Sequence, residues 1–252
     1  MIDFLASFGL TPAEWTLFVL CALLMGTAKT GVAGAGMAVV PVVASIFGGR
    51  PSVGIMLPIL CMADVFAVSY YHRHAEWGHV LRLMPWALAG ILLGVYVGAV
   101  ISAEQFRTLL AVVILAGVGL ILWRERKGDA AGVPFSRWFA ALMGLAAGFT
   151  TMIGNAAGPI MAMYLLAMRL PKYSYIGTGA WYFMILNLTK VPFHVFVWGT
   201  ITILTFLLDL AMLPAIAVGA VLGVWIVRLI PEKYYRMFII VMTVLGALKL
   251  FF

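Results

Sequence analysis

Gly26-Thr27-Ala28-Lys29-Thr30-Gly31-Val32-Ala33-Gly34-Ala35-Gly36 cuts the long apolar region 15–47 in two. A second stretch, Gly148-Phe149-Thr150-Thr151-Met152-Ile153-Gly154-Asn155-Ala156-Ala157-Gly158-Pro159, does the same to region 138–168. A helix over 15–28 would be about 21 Å long, and 37–47 would give a shorter one. A hydrocarbon core is about 30 Å thick and needs about 20 apolar residues, so neither piece comfortably spans it. Paired short helices that meet near the midplane match the discontinuous helices of secondary transporters. Unwound backbone is tolerated at that depth only where protein buries it or a water-filled cavity receives it.

Working outward, the two regions align with each other. A shift of 118 positions pairs Gly26 with Gly144, Ala28 with Ala146, Gly36 with Gly154 and Pro41 with Pro159. Small gaps then bring Pro51 to Pro171 and His74 to His194. Pro85, Gly90, Gly94, Arg107 and Gly117 meet Pro214, Gly219, Gly223, Arg236 and Gly246. The order of these matches predicts two homologous halves, 12–123 and 137–252, joined by the polar linker 124–136. Further uninterrupted apolar runs at 52–71, 83–101, 106–123, 174–197, 202–227 and 234–252 are long enough to span.

Composition agrees. The chain has 252 residues, 65% hydrophobic and 10% charged, with a mean hydropathy of +1.11. A soluble domain carries about 25% charged residues, so a soluble enzyme is excluded. The runs do not alternate apolar and polar positions as an outer-membrane barrel does. The +7 net charge is spread among the apolar segments, which argues against nucleic acid as a partner and fits basic cytoplasmic loops. Cys21 and Cys61 lie in apolar stretches and suggest neither a disulfide framework nor a zinc site. Residues 1–14 carry Asp3 and Glu14 but no base, unlike a cleaved signal peptide.

Charge placement sets the expected topology. If each interrupted region enters and leaves on one side, loops 72–82, 123–137, 169–173 and 228–236 share a side and collect most of the Lys and Arg. The other side keeps Arg50 and Arg107, with Lys190 and Lys249 as candidates. The positive-inside rule favours this arrangement. It predicts an all-α polytopic membrane protein of two inverted repeats, each a broken or re-entrant hairpin plus three transmembrane helices. The linker is then cytoplasmic and both termini face outward.

Candidate site residues cluster at the breaks. Lys29 is an ionisable residue within a membrane-embedded break, a functional hypothesis by default; the alternative is a helix-end lysine reaching water. Thr30, Gly34 and Gly36 accompany it, and Thr150, Thr151, Gly154 and Asn155 are their counterparts in the second half. The small polar side chains serve equally as interhelical hydrogen-bond partners. The second half-helices, starting near Met37–Pro41 and Ala156–Pro159, offer free amides and a positive dipole end to an anion. Lys190 and His194 lie late in span 174–197, and Lys190 either joins the site or snorkels to the interface. Asp64, alone in the middle of span 52–71, either pairs with a base such as Lys29 or Lys190 or carries a proton. Asp64 and His194 are therefore the coupling candidates. The cluster His72-Arg73-His74-Ala75-Glu76-Trp77-Gly78-His79 matches no zinc-protease spacing and reads as a solvated loop. No metal site or cofactor is expected.

The duplicated pattern Gly26…Gly31…Gly34-Ala35-Gly36…Pro41 and Gly144…Gly148…Gly154…Gly158-Pro159 resembles the sulfite exporter TauE/SafE family of membrane permeases. The likeness extends over nearly the whole chain, including the basic central linker. Members often carry consecutive glycines at the breaks, where this chain has Gly34-Ala35-Gly36 and Gly154-Asn155-Ala156. The resemblance implies secondary transport of a small sulfur-containing anion, such as sulfite, an organosulfonate or sulfoacetate, across the cytoplasmic membrane and driven by an ion gradient. The expected partners are that anion and membrane lipid, in a monomer or homodimer. Alternatives are an anion channel, or an intramembrane metal-dependent enzyme using Asp64 and the His72–His79 cluster.

Overall fold

The computed structural model describes residues 8–32, 35–98 and 137–248. The linker 124–136, the span expected at 106–123 and Gly34 lie outside the described residues. The described part is all helical.

Thr11 opens α1 (Pro12–Lys29) with a reciprocal cap: its hydroxyl accepts the Glu14 N–H at 3.3 Å, and the Glu14 carboxylate accepts the Thr11 N–H at 2.8 Å. Such caps satisfy amides that a helix leaves free at its start. Just past the end of α1, Gly31 adopts φ 134°, a conformation open to glycine because it has no Cβ. A 3-10 turn at Ala35–Ala38 leads into α2 (Val39–Phe47), followed by α3 (Gly49–Tyr71) and α4 (Trp77–Val97).

After the undescribed stretch the chain again forms a broken pair of helices followed by a longer one. α5 (Arg137–Gly154) stops at Asn155, which takes φ 53°; asparagine is one of the few residues that enter the left-handed region readily. α6 (Gly158–Ala167) starts with Pro159 in its first turn, where a missing N–H costs nothing. α7 (Lys172–Pro192) runs on into a π-helical turn at Phe193–Val197. α8 (Ile203–Ala211), α9 (Leu213–Leu229) and α10 (Glu232–Leu248) complete the described chain.

Both interrupted regions are thus broken where the glycines and Asn155 predict. One uninterrupted span was expected at 202–227, but α8 and α9 meet at a 48° bend. Pro214 explains this: it sits in the first turn of α9 and has no N–H to continue the ladder from α8. Among the described residues three helical stretches, Gly49–His74, Trp77–Val97 and Lys172–Val197, are long and apolar enough to cross a membrane, with a fourth if the bent pair counts as one span. Large apolar side chains cover the outside, among them Leu81 (65% exposed) and Val221 (69%). So much exposed apolar surface suits lipid and not water.

Two seams hold the helices together. α1 packs along α9, and α4 packs along α5. In the first seam a Cβ on Gly26 would strike the Ile216 carbonyl, and one on Gly219 would strike the Leu23 carbonyl. In the second, a Cβ on Gly90 would strike the Leu145 carbonyl, and one on Gly148 the Ala87 carbonyl. Removing the side chain lets the backbones touch, which drives helix association where no hydrophobic effect separates protein from lipid. Thr27 and Thr30 strengthen the first seam by donating to the carbonyls of Gly219 and Ala220, both at 3.0 Å. α3 and α7 pack on each other, with Ala67, Val68 and Ala180 buried together.

Candidate functional site

The polar residues inside this bundle gather around α3 and α7. Lys29 ends α1, and its Nζ lies 2.8 Å from Asp64 Oδ1 on α3. Asp64 is 0% exposed, and its other carboxylate oxygen accepts from Asn187 Nδ2 on α7 at 2.6 Å. The ammonium also sits 4.2 Å from the centre of the Phe183 ring, a favourable position for a cation. Lys29 is therefore a paired, nearly buried cation.

Lys190 lies one helical turn beyond Asn187. It is 0% exposed and does not snorkel to an interface. Its Nζ donates to Asn155 Oδ1 at 2.7 Å, to Thr151 Oγ1 at 2.9 Å and to the Thr151 carbonyl at 3.2 Å. Three oxygens thus meet the three donors of an ammonium. All three are neutral, and no carboxylate pairs with it among the described residues. Asn155 faces the ammonium with its oxygen because its Nδ2 donates to the Val53 carbonyl of α3 at 3.0 Å. The left-handed backbone at Asn155 both ends α5 and turns this side chain between α3 and α7.

A chain of contacts therefore runs from the first break through Lys29, Asp64 and Asn187, and one turn along α7 through Lys190 to Thr151 and Asn155 at the second break. Its charges are two ammonium groups and one carboxylate. Asp64 is paired with Lys29, and Lys190 has no counter-ion among the described residues. Isolated buried charge is strongly unfavourable, so an anion arriving beside Lys190 would supply the counter-charge that its ammonium form requires.

Other candidates are placed differently. The Thr30 hydroxyl donates to the Gly26 and Ala220 carbonyls, both at 3.0 Å, and Thr150 donates back to Ala146 at 2.8 Å; each serves helix structure. Gly36 packs against Met25, and Gly154 is the buried last residue of α5. His194 is 0% exposed in the π-helical turn. Its Nδ1 lies 2.8 Å from Thr200 Oγ1, and its Nε2 has no partner among the described residues.

In the His72–His79 stretch, His72 Nδ1 lies 3.0 Å from the Ser69 carbonyl and His79 Nδ1 lies 2.9 Å from the Tyr164 hydroxyl. No group of His, Cys, Asp and Glu side chains is placed to hold a metal among the described residues, and Asp64 is committed to Lys29 and Asn187. The intramembrane-enzyme alternative gains nothing from this geometry.

Residues 18–250 match the sulfite exporter TauE/SafE family. The chain belongs to that family. It is a family of membrane transporters and not of enzymes, so this TauE/SafE protein is a transporter of the sulfite and sulfonate type. No curated protein and no solved structure matches the chain. Two residues of chemical interest were absent from the candidate sites. Asn187 is one, and its position three residues before Lys190 on the same helix is the signal that sequence offers for it. Asp209, the one acid in apolar span 202–227, went unremarked for want of any motif around it.

Proposed function

We propose that this TauE/SafE protein is a secondary transporter that carries a small sulfur-containing anion, such as sulfite, an organosulfonate or sulfoacetate, across the cytoplasmic membrane under an ion gradient. The observation that carries the reading is Lys190, a fully buried ammonium held by neutral oxygens alone. An arriving anion neutralises the excess charge and competes with Thr151 and Asn155 for its donors. Those two side chains then read the oxygen geometry of the substrate. Lys29 is held in place by Asp64 at the first break, and Thr30, Gly36, Thr150 and Gly154 shape the surrounding backbone.

The transport machinery is two inverted halves, 12–123 and 137–252, with a cytoplasmic linker and outward termini. The seams support this. Under the sequence alignment α1 corresponds to α5 and α9 to α4, so the α1/α9 seam and the α4/α5 seam are equivalent contacts. Gly26 and Gly148, Gly90 and Gly219, and Gly94 and Gly223 take matching places in them, a register four residues from the alignment's pairing of Gly26 with Gly144.

Reconstitution tests both parts. Proteoliposomes should move at least one of sulfite, thiosulfate or an organosulfonate without ATP, and accumulate it against its gradient when an ion gradient is imposed. Flux that is only ever downhill would mark a channel, and no flux for any of these anions would overturn the reading. Cysteines at position 130 and after residue 248 should label from opposite sides of the membrane; labelling from the same side would end the inverted topology.

A further inference from the structure

Asp209 lies on α8, 0% exposed, and neither carboxyl oxygen has a hydrogen-bond partner among the described residues. Its neighbours Leu208 and Met212 belong to the apolar core formed with Ile55 and Ile59 of α3 and Ile216 of α9. α8 packs on α3 and α9. The titratable groups of those helices are Arg50, Cys61, Asp64, Tyr70 and Tyr71 on α3 and Arg228 on α9, and none of them interacts with the Asp209 carboxyl. An ionised carboxylate without any partner is strongly disfavoured in such surroundings. The group is a neutral acid in this conformation, with its proton on board. This contrasts with Asp64, whose charge is compensated by Lys29.

Asp209 also sits beside a joint. The 48° bend between α8 and α9 follows within one helical turn, at the point where Pro214 interrupts the hydrogen-bond ladder. The short arm that carries the acid is therefore free to tilt without breaking a continuous helix. Ionisable residues inside a membrane are rare and functional by default, and proton relays are among the roles that intramembrane carboxyls take.

We propose that Asp209 is the proton-binding group of this transporter. It is buried as the neutral acid in the state described above, and a tilt of α8 about Met212 opens it to water, where it releases or takes up H⁺. Its proton thereby travels in step with the conformational change that moves the anion. The inference rests on the transporter reading and adds the identity of the coupling ion and the residue that binds it.

The test uses the full chain in proteoliposomes with a trapped pH dye and labelled sulfoacetate, whose sulfonate stays ionised and so does not itself shuttle protons across lipid. Wild-type protein should exchange sulfoacetate and, under a sulfoacetate gradient, change the internal pH. Asp209→Asn should still exchange sulfoacetate but lose at least tenfold of the pH change, and Asp209→Glu should recover part of it. An unaltered pH change in Asp209→Asn, or wild-type exchange with no pH change, overturns the proposal while leaving anion transport intact. If wild type exchanges no sulfoacetate, transport of that anion fails instead, and infrared spectroscopy decides Asp209 separately. A protonated-carboxyl band that is absent in Asp209→Asn and responds to pH supports the proposal; a band unchanged across the pH range overturns it.

Discussion

The two breaks each follow a long helix with a short one, and their electrostatics differ. At the first, Lys29 meets a carboxylate, and the pair is neutral. At the second, Thr151 and Asn155 hold an ammonium contributed by α7, and no carboxylate pairs with it among the described residues. Two similar breaks thus carry unlike chemistry. At the first the charge is already satisfied by its partner. The second offers an ammonium only neutral oxygens, and this difference is the ground for proposing the anion there. If the two halves are copies of one plan, a few side chains decide which copy binds.

Removing one member of the neutral pair should have the largest effect on the protein itself. Asp64→Ala strands the Lys29 ammonium, and breaking a buried pair from one side costs about 3–5 kcal/mol. Thermal unfolding in detergent should show the loss, while Lys29→Met combined with Asp64→Leu should recover most of it. Equal stability of single and double variants would mean that the pair is not buried as described.

At the second break the expected effect is on affinity. Lys190→Met removes charge-assisted hydrogen bonds worth about 1.5–3 kcal/mol each, so the dissociation constant of a transported anion should rise roughly ten- to a hundredfold with little change in stability. Binding at wild-type strength would place the anion elsewhere, and Lys29 would return as the principal cation.

Asn155→Gly sharpens the contrast further, since glycine accepts the left-handed backbone without strain and the substitution removes the side chain alone. Loss of one such contact should weaken binding by about tenfold or less and reorder the preference among sulfite, thiosulfate and organosulfonates. Retention of the wild-type order would show that Asn155 does not read the substrate. The smallest effects belong to hydroxyls that bond only backbone. Thr30→Val and Thr150→Val should each cost about 1 kcal/mol of stability and leave anion affinity unchanged, as measured by unfolding and by equilibrium binding.

Much of the fold was legible because backbone requirements leave local traces. Gly31 and Asn155 mark the breaks, and Pro159 the restart, because few residues suit those conformations. The bend at Met212 was less visible: Pro214 was aligned with Pro85, which α4 accommodates inside an unbroken helix, and sequence does not tell a tolerated proline from one that starts a new helix. At the site, sequence picked out Lys29, Asp64, Thr151, Asn155 and Lys190, and left the partner of Asp64 open between Lys29 and Lys190. Asp64 is 35 positions from Lys29, and Asn155 is 35 from Lys190. Which lysine meets the carboxylate depends on how α1, α3, α5 and α7 pack, and that information is not local. Asp209 escaped notice because a lone acid in an apolar run resembles an accident until its lack of partners is visible.

The glycine seams also bear on how the protein is made. Gly26 presses against Ala220, a residue that the ribosome adds 194 positions later. At about 5–20 residues per second of synthesis, α1 waits in the bilayer for roughly 10–40 s before α9 exists to cover its bare backbone. The α4/α5 seam closes much sooner, since Gly90 and Leu145 are only 55 positions apart. Assembly therefore begins at the centre of the chain and closes last around its first helix, which for that interval depends on lipid, or on a helper protein, to shield its glycine face.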